Sequence, residues 1–532
     1  MKRLVQILTL AALLGVLAPV SAQASFGLKD LDAVFTGSDG SLSMQAGSHP
    51  FSMTTSVSFN TVEGKGPTGE EEDLVDGAMR DLDVSLPPGF VGDPNAVPRC
   101  SNLDFLRTFE AGGLILPACP DATAIGYVEI NKVKNGGSAN QIAVYNLEPA
   151  PGTPAKIGFW FRPVPITIEF QVSPEYPFEL EAFIHNNPQV LEIFSADLTV
   201  WGNPADPSHD SVRGKCGLVG GACPANIPVR PFLTMPRSCT GPMPTTFRAV
   251  PWWEGDRENP IVPGKTFEET IESHDDSEPP TPLGPTGCGK LGFAPEITAQ
   301  PTTLAAQSPS GLDFTLDVKD EGLTNPSGVA HSDIKKVEVT LPEGMSANPA
   351  MGEGLNVCTE AQLAKETAKS APGAGCPNAS KVGTAEVETP LLDENVNGSL
   401  FVAKPYENPF GSLLALYLVI KNANLGIVVR QAMEVKPDLK TGRLTTVAED
   451  LPQLPFSSFK LHFREGARSP LASPPRCGKH EVVAKLTPWA NPDQVLTTTS
   501  AFQIITGPDS GPCPSGGLPP FRPGLMAGTI NN

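Results

Sequence analysis

The chain has 532 residues, with 38 Lys and Arg against 58 Asp and Glu for a net charge of −20, and it carries 57 Pro and 51 Gly. At about 100–200 residues per domain this length holds several domains, and an acidic chain without Lys/Arg clusters excludes a nucleic-acid-binding surface, which works by neutralising phosphates. Pro and Gly exceed their average share of about 12% without reaching a low-complexity composition, and they punctuate alternating apolar segments as strand ends and turns do.

Residues 1–24 read as a secretory signal: Lys2 and Arg3, an apolar run from Leu4 to Leu17, Pro19, and the small-residue site Ala22-Gln23-Ala24. The run is too short for a transmembrane helix, which needs about 20 apolar residues. Cleavage before Ser25 removes both basic residues and no acidic one, so the exported chain carries −22. An extracellular protein without membrane insertion is expected. Its diffuse acidic surface disfavours anionic membranes and wall polymers unless a divalent cation bridges them.

Beyond the signal, the chain is one unit written twice. "AGSHPFSMTTSVSFN" (Ala46 to Asn60) parallels "AAQSPSGLDFTLDVKDEG" (Ala305 to Gly322), and "LDVSLPPGFVGDPNAVPRC" (Leu82 to Cys100) parallels "VEVTLPEGMSANPAMGEGLNVC" (Val337 to Cys358). "CPDATAIGYVEI" from Cys119 matches "CPNASKVGTAEV" from Cys376, and "MPRSC" ending at Cys239 answers "PPRCG" around Cys477. The offsets along this series are about 255, 257 and 238 residues, so order is kept while the second copy shortens. Module 1 is assigned to residues 25–290 and module 2 to 291–514, each large enough for two β subdomains. Residues 515–532 are assigned to the start of a truncated third copy, because "MAG" at Met526 resembles "MQAG" at Met44.

Within each copy the apolar residues recur with period two. Leu82, Val84 and Leu86 alternate with Asp83 and Ser85, and Ile166, Ile168, Phe170 and Val172 alternate with Thr167, Glu169 and Gln171, the pattern of half-buried strands. "LLALYLVI" (Leu413 to Ile420) is apolar on both faces, as for a central strand covered on both sides. The acidic run "GEEEDLVD" (Gly69 to Asp76) reads as a solvated loop. Thr359 to Gln362 forms a capping box, and Ser101 to Asp104 a looser one, so a short helix is expected between the first two cysteines of each copy. The fold class is therefore all-β: tandem disulfide-stapled β-sandwich-like modules, each with that short helix.

Ten cysteines in an exported chain imply disulfides. The duplication narrows the pairing, since Cys100/Cys119 and Cys358/Cys376 are equivalent neighbours, as are Cys239/Cys288 and Cys477/Cys513, which leaves Cys216/Cys223 to the first copy. Structural zinc would need C-x2-4-C spacing, which is absent.

Motifs with clear mechanisms, such as G-x-S-x-G, H-E-x-x-H, Walker A or an EF-hand loop, are missing. "WGNPADPSHDSVRGKC" (Trp201 to Cys216) gathers Asp206, His209 and Asp210, which nominates a metal site, with Ca²⁺ as the ion, while Ser208, His209 and Asp210 have the residue types of a catalytic triad but, being consecutive, do not line up as one. "VPWWEGDRENP" (Val250 to Pro260) sets Trp252 and Trp253 beside Glu254 and Asp256, a pattern suited to sugar stacking and hydrogen bonding. No other cofactor is implied.

The phrases "QAGSHPF", "LPPGFVGDPNAVPRC", "TVWGNPADPSHD", "PFLTMPRSC" and "NPFGSLLALYLVIKN" together resemble a group of large exported repeat proteins of soil actinobacteria. That resemblance implies a multi-module extracellular architecture and assigns no activity. The expectation is a secreted, non-catalytic binding or surface-structural protein, with cell-wall or extracellular polysaccharide or another surface protein as partner. A secreted hydrolase acting on polysaccharide or another polymer is the alternative.

Overall fold

A computed structural model describes residues 26–65, 70–111, 114–131, 141–161, 163–189, 191, 193–252 and 266–513. Residues 1–25, the tail 514–532 and the residues Trp253, Glu254 and Asp256 lie outside the described residues. The fold is all-β, and the helices among the described residues are single turns.

Two eleven-stranded antiparallel sheets carry the chain. The first runs in the order Leu28–Thr36, Ser52–Phe59, Ser195–Trp201, Ala124–Asn131, Gln141–Leu147, Ala155–Phe161, Val164–Val172, Leu180–Ile184, Met79–Ser85, Pro244–Pro251, Phe267–Glu272. The second runs Glu296–Pro301, Leu312–Asp317, Ser458–Phe463, Lys381–Glu388, Val396–Val402, Ala415–Asn422, Ile427–Pro437, Leu444–Ala448, Ile334–Thr340, Gly478–Pro488, Leu496–Ile504. Each position in one sheet has its counterpart in the other. One sheet runs through each copy, its strand pairs succeeding one another without a break.

Each sheet curls until its outer strands approach. In the second, Ser500 Oγ accepts from Ala299 N at 2.8 Å, and Gln300 Nε2 donates to the Ala501 carbonyl at 3.3 Å, tying the last strand to the first. In the first, His274 Nε2 lies 3.2 Å from Asp32 Oδ1 across the same gap. The result is a rolled, barrel-like sandwich whose period-two apolar residues face inward.

The cysteines pair as the duplication requires: Cys100–Cys119, Cys216–Cys223, Cys239–Cys288, Cys358–Cys376 and Cys477–Cys513. Local architecture around the first bridge of each copy is the same. Cys100 N donates to the Asn146 carbonyl and Cys358 N to the Val402 carbonyl, both at 2.8 Å. The helices Asn102–Leu106 and Glu360–Leu363 come next, the first capped by Ser101 and the second by the reciprocal Thr359/Gln362 box. They cover the outer face of the sheet. Hence Ala415, Tyr417 and Val419 pack against Cys358–Cys376 while Leu416 and Leu418 point inward, which is why the strand is apolar on both faces.

The acidic run departs from the loop expected of it. Glu71–Val75 is a strand paired with Thr61–Lys65 in a two-stranded hairpin. Backbone pairing, with Lys65 opposite Glu71, satisfies a segment that composition alone marks as solvated.

The two modules meet through a dense polar junction. Arg237, 2% exposed, reaches from module 1 to Asp333 at 2.6 Å and Asp320 at 3.7 Å in module 2. Arg230 pairs with Asp93 and donates to the Pro390 carbonyl at 2.6 Å; Asn95 Nδ2 donates to the Leu391 carbonyl at 3.2 Å; Arg99 meets Asp393 at 2.7 Å. His49 Nε2 lies 2.9 Å from the Gly322 carbonyl oxygen. Gly47 must be glycine here: its φ is +68°, and a Cβ would sit 2.8 Å from the Ala330 carbonyl oxygen. On a separate contact line, Gly152 N donates to the Asn424 carbonyl at 2.6 Å and Arg430 pairs with Glu175 at 2.7 Å.

Candidate binding cavity

The loop Trp201 to Cys216 folds back on the indole of Trp201. Asp206 caps the single turn Pro207–Val212, accepting from Ser208 N at 2.9 Å and Ser208 Oγ at 2.8 Å, and these bonds hold its carboxyl below the usual range. His209 is buried, with its ring stacked on Trp201 at 4.4 Å and 6° and tilted against Phe51 at 4.6 Å. Asp210 Oδ1 accepts from Arg213 Nε at 2.7 Å, and the fully buried Arg213 lies 5.2 Å from the Trp201 ring while donating to the Pro204 carbonyl. Asp206, His209 and Asp210 thus take separate structural partners. No group of three or more His, Cys, Asp or Glu among the described residues is placed to hold a metal ion.

Burial pushes the His209 imidazole down to about 4, because the carboxylates of Asp206 and Asp210 only partly repay the lost hydration of its cation and the Arg213 charge opposes it. Between about pH 6.5 and 4 the unfolded chain protonates His209 and the folded chain does not, so acid weakens the fold through this residue, at up to about 1.4 kcal/mol per pH unit. We expect its imidazole resonances to stay in the neutral position at pH 5.5, and His209→Phe to flatten this part of the pH–stability curve in urea titrations.

Trp252 is half-buried at the end of the strand Pro244–Pro251. Its Nε1 donates to the Asn187 carbonyl at 2.8 Å, and the Arg80 guanidinium lies 5.9 Å from the ring. Those contacts anchor the indole to the sheet, and its proposed neighbours Trp253, Glu254 and Asp256 lie outside the described residues.

A concave feature lies elsewhere. A cavity of about 580 Å³ runs inside the rolled sheets and is lined by residues of both modules. Val84, Phe170, Leu180, Ala182 and Leu198 line it in module 1, and Val339, Leu416, Met433, Leu461 and Phe463 in module 2. These inward-facing side chains are only half-buried, although close packing would leave such positions with almost no accessible surface. Val91, Gly92 and Phe232 from module 1, with Leu391 and Leu454 from module 2, line it at the junction. Among the described residues no charged side chain lines the cavity; its few polar side chains are Thr55, Asn146, Thr389, Gln431 and Thr446.

No motif signals such a cavity, because its walls are spread over many strands. The alternation of apolar residues marks which side chains face inward, but only the strand count and curvature of the sheet decide whether opposite walls touch. Sheets of about eight strands let side chains fill the interior, and eleven leave room.

No family model matches the chain, and no curated protein matches it in sequence. Similar solved structures include the C-terminal domain of the Streptococcus agalactiae AgI/II polypeptide BspA, aligned over 88% of this chain and 99% of its own at 6% identity and a TM-score of 0.17. The Enterococcus faecalis MSCRAMM ACE, described as binding its ligands by the collagen Hug model, aligns over 90% and 94% at 6% identity and a TM-score of 0.17. The collagen adhesin CNA from S. aureus aligns over 89% and 92% at 8% identity and a TM-score of 0.17. At that score the alignments carry no argument about this chain.

Proposed function

We propose that the protein is an exported, non-catalytic binding protein that holds an apolar ligand inside its paired β modules. The observation that carries this reading is the 580 Å³ cavity with its uncharged, predominantly apolar wall. Apolar cavities stay dry and accept apolar guests rather than water, and ligand pockets commonly span about 300–1,000 Å³. The five disulfides, with no free cysteine, support an extracellular setting, since such bridges persist in oxidising compartments. A wall polymer or surface protein, the partner expected from the sequence, would meet the outer face of the modules rather than this interior.

The test uses the mature chain and the fluorescent apolar probe N-phenyl-1-naphthylamine. Probe emission should rise on binding, and native mass spectrometry should find an apolar molecule retained through purification and removed by solvent extraction. Ala182→Trp with Ala196→Trp, both on half-buried cavity-lining positions, should weaken the probe at least about tenfold. The melting temperature should hold or rise because the side chains fill a void. A folded wild-type chain that neither binds the probe nor carries an extractable molecule would refute the proposal.

A further inference from the structure

Resting on the apolar-ligand reading, we infer that the occupant is a single long-chain, uncharged lipid that threads the junction and lies in both modules at once. Three observations meet here. The cavity wall continues from Val91, Gly92 and Phe232 across to Leu391 and Leu454, so the interiors are joined where the modules touch. Val91 also packs in one buried cluster with Leu323, Ala330 and Leu391 of module 2, which makes this passage an apolar seam rather than a solvent gap. Around it, the bonds of Arg237, Arg230, Asn95, Arg99 and His49 hold the modules in one arrangement, so the passage is a fixed part of the molecule.

The chemistry of the wall narrows the ligand class. A carboxylate, phosphate or ammonium enclosed here would meet no opposite charge, and a buried unpaired ion is strongly disfavoured. A sugar needs hydrogen-bonding partners for each hydroxyl. Five scattered polar side chains do not supply them, and Asn146 already donates to the carbonyls of Pro94 and Val97. What the wall recognises is hydrocarbon length. Each methylene moved from water into such a cavity should tighten binding about fourfold.

Gly92 gives access to the passage. A Cβ added there meets only the Phe232 carbonyl oxygen, at 3.7 Å, so a side chain can be introduced without displacing backbone. The experiment displaces N-phenyl-1-naphthylamine from the delipidated mature chain with straight-chain primary alcohols of increasing length. Affinity should climb about fourfold per methylene up to lengths that only a two-module cavity can take, with one long alcohol bound per chain by native mass spectrometry. In Gly92→Phe the climb should stop early while short alcohols bind as before, and Gly92→Ala should behave as the wild type. Matching fatty acids at neutral pH should bind more weakly than the alcohols.

An identical plateau in wild type and Gly92→Phe, or two long alcohols bound per chain, would overturn the threaded arrangement while leaving apolar binding intact. Tighter binding of the fatty acids would overturn the uncharged class. Failure of the probe and every alcohol to bind would remove both this inference and the reading beneath it. Should Gly92→Phe not fold, the wild-type length series and its stoichiometry decide alone.

Discussion

Arg237→Met should be the most damaging single substitution in the chain, destabilising it by about 3–5 kcal/mol, and more severely at pH 8 than at pH 5. Arg237 is the cation shared by two buried carboxylates of the other module, Asp333 at 2.6 Å and Asp320 at 3.7 Å. Methionine fills similar space but leaves both carboxylates without a counter-charge. Even in the wild type one guanidinium does not offset two anions. Desolvation, with Asp320 adding its repulsion, pushes the Asp333 carboxyl up to about 7 against the pull of Arg237.

That elevation sets the sign of the pH effect. Above about pH 4 the unfolded chain has released the Asp333 proton, while the folded chain keeps it until about pH 7. The group's favourable contribution is therefore complete below about pH 4 and is lost as pH rises to 7, with a slope approaching about 1.4 kcal/mol per pH unit. This opposes the trend from His209, so the two buried groups flatten each other's profile across the mildly acidic range. Urea titrations at pH 5 and 8 check the prediction, and adding Asp333→Asn to Arg237→Met should restore part of the loss. Equal destabilisation at both pH values would show that the guanidinium acts through packing alone.

Removing the bridge Cys100–Cys119 by a double alanine replacement should cost about 3 kcal/mol through the loop it closes, and further stability through the hole it leaves. Both cysteines are buried in a cluster with Phe105, Tyr145, Leu147 and Trp201, so the lost sulfurs are not replaced by water. The bridge Cys216–Cys223 makes the informative contrast. It closes a separation of only 7 residues against 19, and its second cysteine is half-buried, so its loss should cost about 2 kcal/mol. Replacing Cys358 and Cys376, with a separation of 18 and both sulfurs likewise buried in an apolar cluster, should match the first bridge. Denaturant midpoints of the three double variants rank the effects; the short-loop variant falling as far as the other two would contradict the argument.

The strand periodicity and the two local cysteine loops were legible because they depend on neighbouring residues and were written twice. Leu82, Val84 and Leu86 could face only one way once Asp83 and Ser85 faced the other. Thr359 and Gln362 met at helical spacing wherever the turn was placed, and each formed its half of the capping box. At Asp206, His209 and Asp210 proximity in sequence does not set the partners, because a single turn sends those side chains to a cap, an indole and a guanidinium. Trp201 is the organising residue of that loop, and its lone position at a strand end offered no signal of the stack to come.

The sequence by itself determined the class of fold, the bridging pattern and the order of the two copies, all of which arise from short-range alternation and repetition. Only tertiary structure decided that eleven strands would roll up around open space, since a period of two names the inward face without setting the distance to the opposite wall. It also decided that equivalent positions would differ in role. Val91 is buried against module 2, while Ser346, its counterpart in the second phrase, is exposed. The physical reason is that burial at a junction depends on which surface another part of the chain comes to cover.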